Sequence, residues 1–182
     1  MRPFADDTEL TRRFTQGDIS AFAELVRKYQ DRIYNLCRYM LQDSDDARDA
    51  AQEALLKAYG KIKEFRADAA LYSWLYRIAV NTCLDYKKKA RPDQLEDESL
   101  LSDVASSDPS PERLYQSKEL SDILQTALQK LPEEMRAALV LRKIEELAYE
   151  EIAEVLHISV GTVKSRISRA RDDLRRLLRG KF

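Results

Sequence analysis

Apolar residues recur at intervals of three and four along most of this chain, and the recurrence breaks in only a few places. Phe22, Leu25, Val26, Tyr29, Ile33, Leu36, Cys37 and Met40 form one such stripe. It predicts a long helix, with Asp18 or Ser20 capping its start. Asp43 and Ser44 open a second helix whose stripe is Ala47, Ala51, Ala54, Leu55, Ala58 and Ile62, small side chains that let a neighbouring helix come close. After a short break at 65–70, a third helix turns Leu71, Trp74, Leu75, Ile78, Cys83 and Tyr86 inward and ends in Lys87, Lys88 and Lys89. The period then vanishes over 92–112, where Pro92, Pro109, Pro111, five serines and many carboxylates read as a linker. It returns near Arg113. One helix runs to Lys130, and a second opens at Leu131–Pro132, where proline is tolerated in a first turn. A short helix follows over Tyr149–Leu156, then a turn at His157, Ile158 and Ser159, then a long final helix to about Leu178. The expectation is an all-α protein of two small helical domains, 1–91 and 113–182, joined by a flexible linker over 92–112.

Composition supports helices: only 4 glycines and 5 prolines punctuate 182 residues, and Ala, Leu, Glu, Lys and Arg, which lose little entropy in a helix, dominate. No apolar run approaches the roughly 20 residues that span a bilayer; the longest is Ala137–Leu141. Met1–Phe14 lacks a signal-peptide core, so a cytoplasmic protein is expected. Cys37 and Cys83 stand alone and His157 is the one histidine, too few ligands for a structural zinc site. No metal and no cofactor are expected, and the cysteines read as small buried hydrophobes. Charge alters the picture more. The net of −1 conceals a segment 119–159 with 4 basic and 9 acidic side chains, followed by 160–182 with 8 basic and 2 acidic. The last helix is therefore strongly basic, and local sign governs partners more than the total does.

That helix belongs to the strongest local motif, YEEIAEVLHISVGTVKSRIS over 149–168. Ile152, Ala153 and Leu156 share one face of a short helix. Beyond the turn, Val163, Ile167, Ala170 and Leu174 form the inner face of the next, with Ser159 as its cap. This is helix-turn-helix spacing. On the outer face Lys164, Ser165, Ser168 and Arg169 project together and can reach base edges in a major groove. Arg166, Arg171, Arg175 and Arg176 surround them and suit phosphates. A basic solvated helix closing an ordinary bundle has the same period, but the jump in charge at this boundary favours DNA.

Two further faces carry candidate chemistry. Asp45, Asp46, Asp49, Gln52, Glu53 and Leu56 lie away from the alanine stripe. They read either as a solvated acidic face or as a dock for a partner helix rich in Arg and Lys. In FRADAALYSWLYRIAVN (65–81), Phe65, Tyr72, Trp74 and Tyr76 are interleaved with Arg66, Arg77 and Asn81. Aromatics beside basic and amide groups suit stacking on unpaired bases. Trp74 reads better as core, and Tyr72, Arg77 and Asn81 are the better candidates for contact.

At these residues the chain resembles the extracytoplasmic-function sigma factors, particularly the sigma-E type. DARDAAQEALLKAYGKI (46–62) resembles the family's polymerase-binding stretch, FRADAALYSWLYRIAVNTCLDY (65–86) its minus-ten reader, and LPEEMRAALVLRKIEELAYEEIAEVLHISVGTVKSRISRAR (131–171) its minus-thirty-five domain. Three motifs in order make the match specific. The resemblance implies a promoter-recognition subunit, not an enzyme, with regions 2 and 4 of a sigma factor as its two domains. Asp49, Gln52, Glu53, Leu56 and Tyr59 would dock on the clamp helices of the polymerase β′ subunit, and the second domain on the β flap. Phe65, Arg66, Asp68, Ala69, Tyr72, Arg77 and Asn81 would hold a flipped base of the melted minus-ten strand, at an extrusion cost of a few kcal/mol. Thr162, Lys164, Ser165, Arg166, Ser168, Arg169 and Arg171 would read the minus-thirty-five duplex. The acidic linker would thread toward the polymerase active-site and RNA-exit channel. It further implies an anti-sigma factor as partner, often membrane-bound in this family, and a stress regulon such as that of the envelope. His157 stands in the turn where small residues are common, and is expected to be exposed there. Lys164 stands where many relatives carry arginine, and a lysine cannot grip guanine with a fork.

A free-standing duplex-binding regulator would share the last 60 residues but leaves 46–81 without a purpose. An enzyme lacks support: one histidine, no glycine-rich phosphate loop, no small-molecule substrate site and no compact acid–base constellation.

Overall fold

The computed structural model describes residues 7–62, 65, 70–90 and 112–179. All regular elements among them are α-helices: α1 (Asp7–Thr15), α2 (Ile19–Met40), α3 (Ser44–Gly60), α4 (Leu71–Ala90), α5 (Glu112–Gln129), α6 (Glu133–Lys143), α7 (Tyr149–Leu156) and α8 (Val160–Leu178). Residues 91–111, nearly all of the expected linker, lie outside the described residues.

Helix starts follow local chemistry. Asp18 caps α2 by accepting from the Ser20 N–H at 2.9 Å, and Asp43 caps α3 by accepting from Asp45 and Asp46 N–H at 2.7 and 2.9 Å. Each satisfies donors that the first helical turn cannot pair internally. On α2, Leu25, Tyr29, Ile33, Leu36, Cys37 and Met40 are buried, and on α3 so are Ala47, Ala50, Ala51, Ala54 and Ala58. The alanine face lets α3 pack against both α2 and α4. The α3 helix ends at Gly60, so Ile62 falls just beyond the stripe on which the period placed it.

The first helix, α1, was not legible from the period. It has only two inward apolar residues, Leu10 and Phe14, too few to register as a stripe. A buried carboxylate holds it instead: Asp7 accepts from the Tyr29 hydroxyl at 2.6 Å and pairs with Lys28 at 2.6 Å. Gly17, at φ 89°, makes the left-handed turn that ends α1, with Gly17 and Asp18 N–H donating back to Phe14 and Arg13 carbonyls.

Cys37 and Cys83 meet across the α2–α4 packing, both fully buried. The Cys37 thiol beside it and burial push the Cys83 thiol up, so Cys83 is not a nucleophile at neutral pH.

The acid response of the first corner follows from Asp18. Its hydrogen bonds from the Ser20 hydroxyl and Arg13 hold its carboxyl down at about 2. A lowered folded-state value contributes stability that is present above the ordinary carboxyl pKa and lost as pH falls through the folded one. Asp18→Asn keeps a capping oxygen and removes the titration. Its acid-unfolding curve, followed by circular dichroism, should lack part of the stability that the parent loses between about pH 4 and pH 2. Superimposable curves would rule this contribution out.

The two halves are packed on one another. The carbonyls at the end of α2 have no intrahelical donors, and side chains of the second half supply them. Gln125 Nε2 donates to Leu41 O at 2.8 Å and to Arg38 O, Gln129 Nε2 donates to Tyr39 O at 3.3 Å, and Arg136 Nη1 donates to Met40 O at 2.8 Å. Arg136 is 1% exposed. Its Nε also donates to Leu128 O, and its Nη2 to Gln129 O and Leu131 O, at 2.7, 2.8 and 2.8 Å. One guanidinium therefore closes the C-terminal ends of both α2 and α5, where the helix dipoles favour positive charge.

Candidate nucleic-acid interface

Glu151 Oε2 accepts from the Ala148 N–H at 2.6 Å and sets the start of α7. The helix stops where His157, exposed, takes the left-handed conformation at φ 52°. Ser159 then caps α8, accepting from Thr162 N–H at 3.1 Å. Val163, Ile167 and Ala170 are buried against α6 and α7. With that face sunk, the period of α8 sets Lys164, Ser165, Ser168, Arg169 and Arg171 outward, and all five are exposed. The Ser165 hydroxyl donates to Thr162 O at 3.0 Å, which leaves its oxygen lone pairs available. Thr162 is half-buried, its hydroxyl 2.9 Å from that of Ser159.

The remaining arginines divide. Arg166 is half-buried and pairs with Glu134 of α6, so it braces α8 within its own bundle. Arg175 pairs with Asp172 at 3.2 Å and Arg176 with Asp173, both one turn apart on α8. Exposed pairs of this kind are worth less than about 1 kcal/mol and yield readily to a phosphate. An open pocket of about 220 Å³ is lined by Tyr149, Lys164, Ser168, Arg171 and Arg175, among others. The Tyr149 ring lies 5.2 Å from the Arg142 guanidinium and 5.8 Å from Lys164 Nζ. Sequence reasoning missed Tyr149 and Arg142 as part of this surface; the aromatic that opens the turn unit was the available signal.

On α3, Asp49, Gln52, Leu56 and Tyr59 are exposed and Glu53 is half-buried. They share a face opposite the alanines. Glu53 pairs with Lys57 at 2.7 Å, which with other contacts lowers its carboxyl pKa.

The 65–81 candidates are distributed differently. Phe65 is buried, its ring centroid 5.2 Å from that of Trp74 in an edge contact. Arg66, Asp68 and Ala69 lie outside the described residues. Asn81 is exposed. Tyr72 and Arg77 are turned toward α7: the Tyr72 hydroxyl donates to Glu151, and Arg77 Nη2 donates to Glu154 O at 2.9 Å. Tyr76 is buried at 1% exposure, where its hydroxyl donates to Glu145. Glu145 is 2% exposed and also pairs with Arg32 at 3.3 Å. Burial pushes the Glu145 carboxyl up, against the pull of Tyr76 and Arg32. Burial and the Glu151 carboxylate push the Tyr72 hydroxyl up to about 12. No spacing rule connects Glu145 or Glu151 to these tyrosines, and sequence reasoning missed both.

Among the described residues no group of three His, Cys, Asp or Glu side chains could hold a metal ion, and no helix is long and apolar enough to cross a membrane.

Residues 25–92 match the family described as Sigma-70 region 2, and residues 121–174 match Sigma-70, region 4. The chain is 42% identical over 184 residues to the RNA polymerase sigma-H factor of Pseudomonas aeruginosa, covering 94% of this chain and 93% of that one. It is 43% identical over 175 residues to the ECF RNA polymerase sigma-E factor of Escherichia coli K12, covering 91% of each. Among solved structures it is similar to the sigma factor RpoE of Bartonella quintana in co-crystals with the anti-sigma factor NepR. The TM-score is 0.67 and the identity 26%, over 88% of this chain and 98% of that one.

Proposed function

The chain belongs to the extracytoplasmic-function sigma factors of RNA polymerase, and from that membership we propose how its surfaces divide the work of promoter recognition. As a sigma factor it directs transcription and is not an enzyme. The outer face of α8 reads the minus-thirty-five element as duplex through Lys164, Ser165, Ser168 and Arg169, with Thr162 and Arg171 on the backbone; Arg166 orients the helix. The carrying observation is that Lys164, Ser165, Ser168, Arg169 and Arg171 all stand exposed on one side of α8, the most basic helix among the described residues, whose start Ser159 caps. The α3 face, Asp49, Gln52, Glu53, Leu56 and Tyr59, docks on the polymerase β′ clamp helices, and the second half on the β flap. The 65–81 segment, with Tyr72, Arg77 and Asn81, takes an unstacked base of the minus-ten strand.

Tyr72 and Arg77 cannot serve a base while they bond α7. Single-strand reading thus requires the halves to part, which accords with a factor that gains promoter affinity only on core polymerase. An anti-sigma factor, membrane-bound, holds the protein at the cytoplasmic side until an envelope or other stress releases it.

The direct test is core binding followed by runoff transcription. An Asp49/Gln52/Glu53 triple alanine variant should lose core RNA polymerase, while the parent yields new transcripts. Lys164→Ala or Arg169→Ala should keep core binding and weaken promoter binding by about 1–3 kcal/mol. An unchanged preference for the promoter over a scrambled duplex would refute the base-reading role. Tight duplex binding without any core binding would leave a free-standing regulator.

A further inference from the structure

Among the described residues, the large hydrophobic side chains that stand exposed are Ile19, Leu56 and Tyr59, at 69%, 71% and 45%. A single exposed apolar residue needs no explanation, but a cluster marks an interface. Ile19 on α2 and the pair Leu56 and Tyr59 on α3 are linked through Phe22. Ile19 is the first residue of α2, one turn before Phe22. The Phe22 ring is 4.9 Å from that of Tyr59 and 5.0 Å from that of Phe14. Leu56 precedes Tyr59 by one turn of α3. An aromatic layer of Phe14, Phe22 and Tyr59 thus supports an apolar rim at the start of α2 and the end of α3. Nothing in the helix demands isoleucine at position 19. Asp18 already caps the turn, and a β-branched residue is not favoured there by propensity.

We propose that Ile19 is part of the polymerase-docking face, the apolar end of a surface that continues along α3 through Tyr59, Leu56, Glu53, Gln52 and Asp49. This rests on the docking role given to α3 above and adds a residue from another helix, outside the stretch matched as region 2. The occupant is one element of core polymerase: a helix with basic side chains for the acidic row and an aliphatic or aromatic knob for the rim. Two observations favour it over a second copy of this chain. Stable protein–protein interfaces bury about 800 Å² on each partner, more than three side chains provide, so the rim must be the end of something larger. The face with which it is continuous is acidic at Asp45, Asp46 and Asp49, which would repel its own copy. The corner is also open while the halves are packed, because the second half contacts the C-terminal end of α2 and the α4 helix. Polymerase can therefore engage this corner before the halves part.

The test measures affinity of the full chain for purified bacterial core RNA polymerase. Ile19→Asp should weaken binding by about tenfold or more, as loss of an apolar anchor at an interface does, whereas Ile19→Leu stays within about twofold. Ile19→Ser serves in parallel, so that a folding defect specific to the aspartate, seen in the thermal melt, does not decide the result. Leu56→Ala and the Asp49/Gln52/Glu53 variant are measured alongside. If those fail to bind while Ile19→Asp and Ile19→Ser bind normally, the role of Ile19 is overturned and the α3 reading stands. If none of the variants alters binding, both are overturned. A change in self-association at Ile19, with core affinity intact, would assign the corner to a second copy and equally overturn the proposal.

Discussion

Arg136→Met will lower the stability of the whole chain to urea by about 3–5 kcal/mol, the range for breaking a buried charged network. The guanidinium donates to four carbonyl oxygens at 2.7–2.8 Å in a site of 1% exposure. A methionine fills similar volume but leaves those carbonyls buried without that donor, at about 1–3 kcal/mol for each one that water cannot reach. Arg136→Lys should recover little of the loss. Its ammonium is a point charge, and it cannot spread donors along three directions in one plane. Because Met40 belongs to the first half and Leu128, Gln129 and Leu131 to the second, the variant should also weaken packing between halves. A shift in the urea midpoint corresponding to less than about 1 kcal/mol would show that these carbonyls find water instead.

Glu145→Lys will drive the halves apart. Glu145 lies in the connection between α6 and α7, buried against the Tyr76 hydroxyl and 3.3 Å from Arg32. The substitution sets two cations face to face in a site that excludes solvent, at a cost of about 3–5 kcal/mol to the packed arrangement. With the halves separated, the connection faces water and the lysine is harmless, so each half keeps its helices. Small-angle scattering should show a larger radius of gyration with unchanged helical circular dichroism. Separation also frees Tyr72 from Glu151 and Arg77 from Glu154 O. The variant should therefore bind a minus-ten single strand more tightly than the parent in the absence of polymerase. The interface is imperfect at this point: Arg77 Nε is buried without a hydrogen-bond partner, as suits a contact built to open. An unchanged radius of gyration, or an expanded protein with no gain in single-strand affinity, would defeat this account.

How much of the molecule was legible depends on how far apart its partners lie. The stripes on α2, α3 and α8, the caps at Asp18, Asp43 and Ser159, and the outward row Lys164, Ser165, Ser168 and Arg169 all rest on relations within about one or two turns. Local order of that kind is written in spacing. The α1 helix escaped because two apolar residues make no period; its anchor, Asp7, bonds a tyrosine 22 positions away. Tyr76 was grouped with candidate contact aromatics, since nothing in its neighbourhood announces the carboxylate 69 positions on that buries it.

By itself, then, the sequence determined an all-helical chain, the helix-turn-helix, and which faces of α3 and α8 point to solvent, because the 3.6-residue period and end-capping act between near neighbours. Only the tertiary structure decided that Arg136 closes the end of a helix 96 residues away in sequence, that Tyr72 and Arg77 are engaged by α7, and that the Phe22 ring of α2 meets Tyr59 of α3. Those pairings are chosen by packing in three dimensions among side chains that carry no periodic mark of their partners, and burial without solvent is what makes each one count.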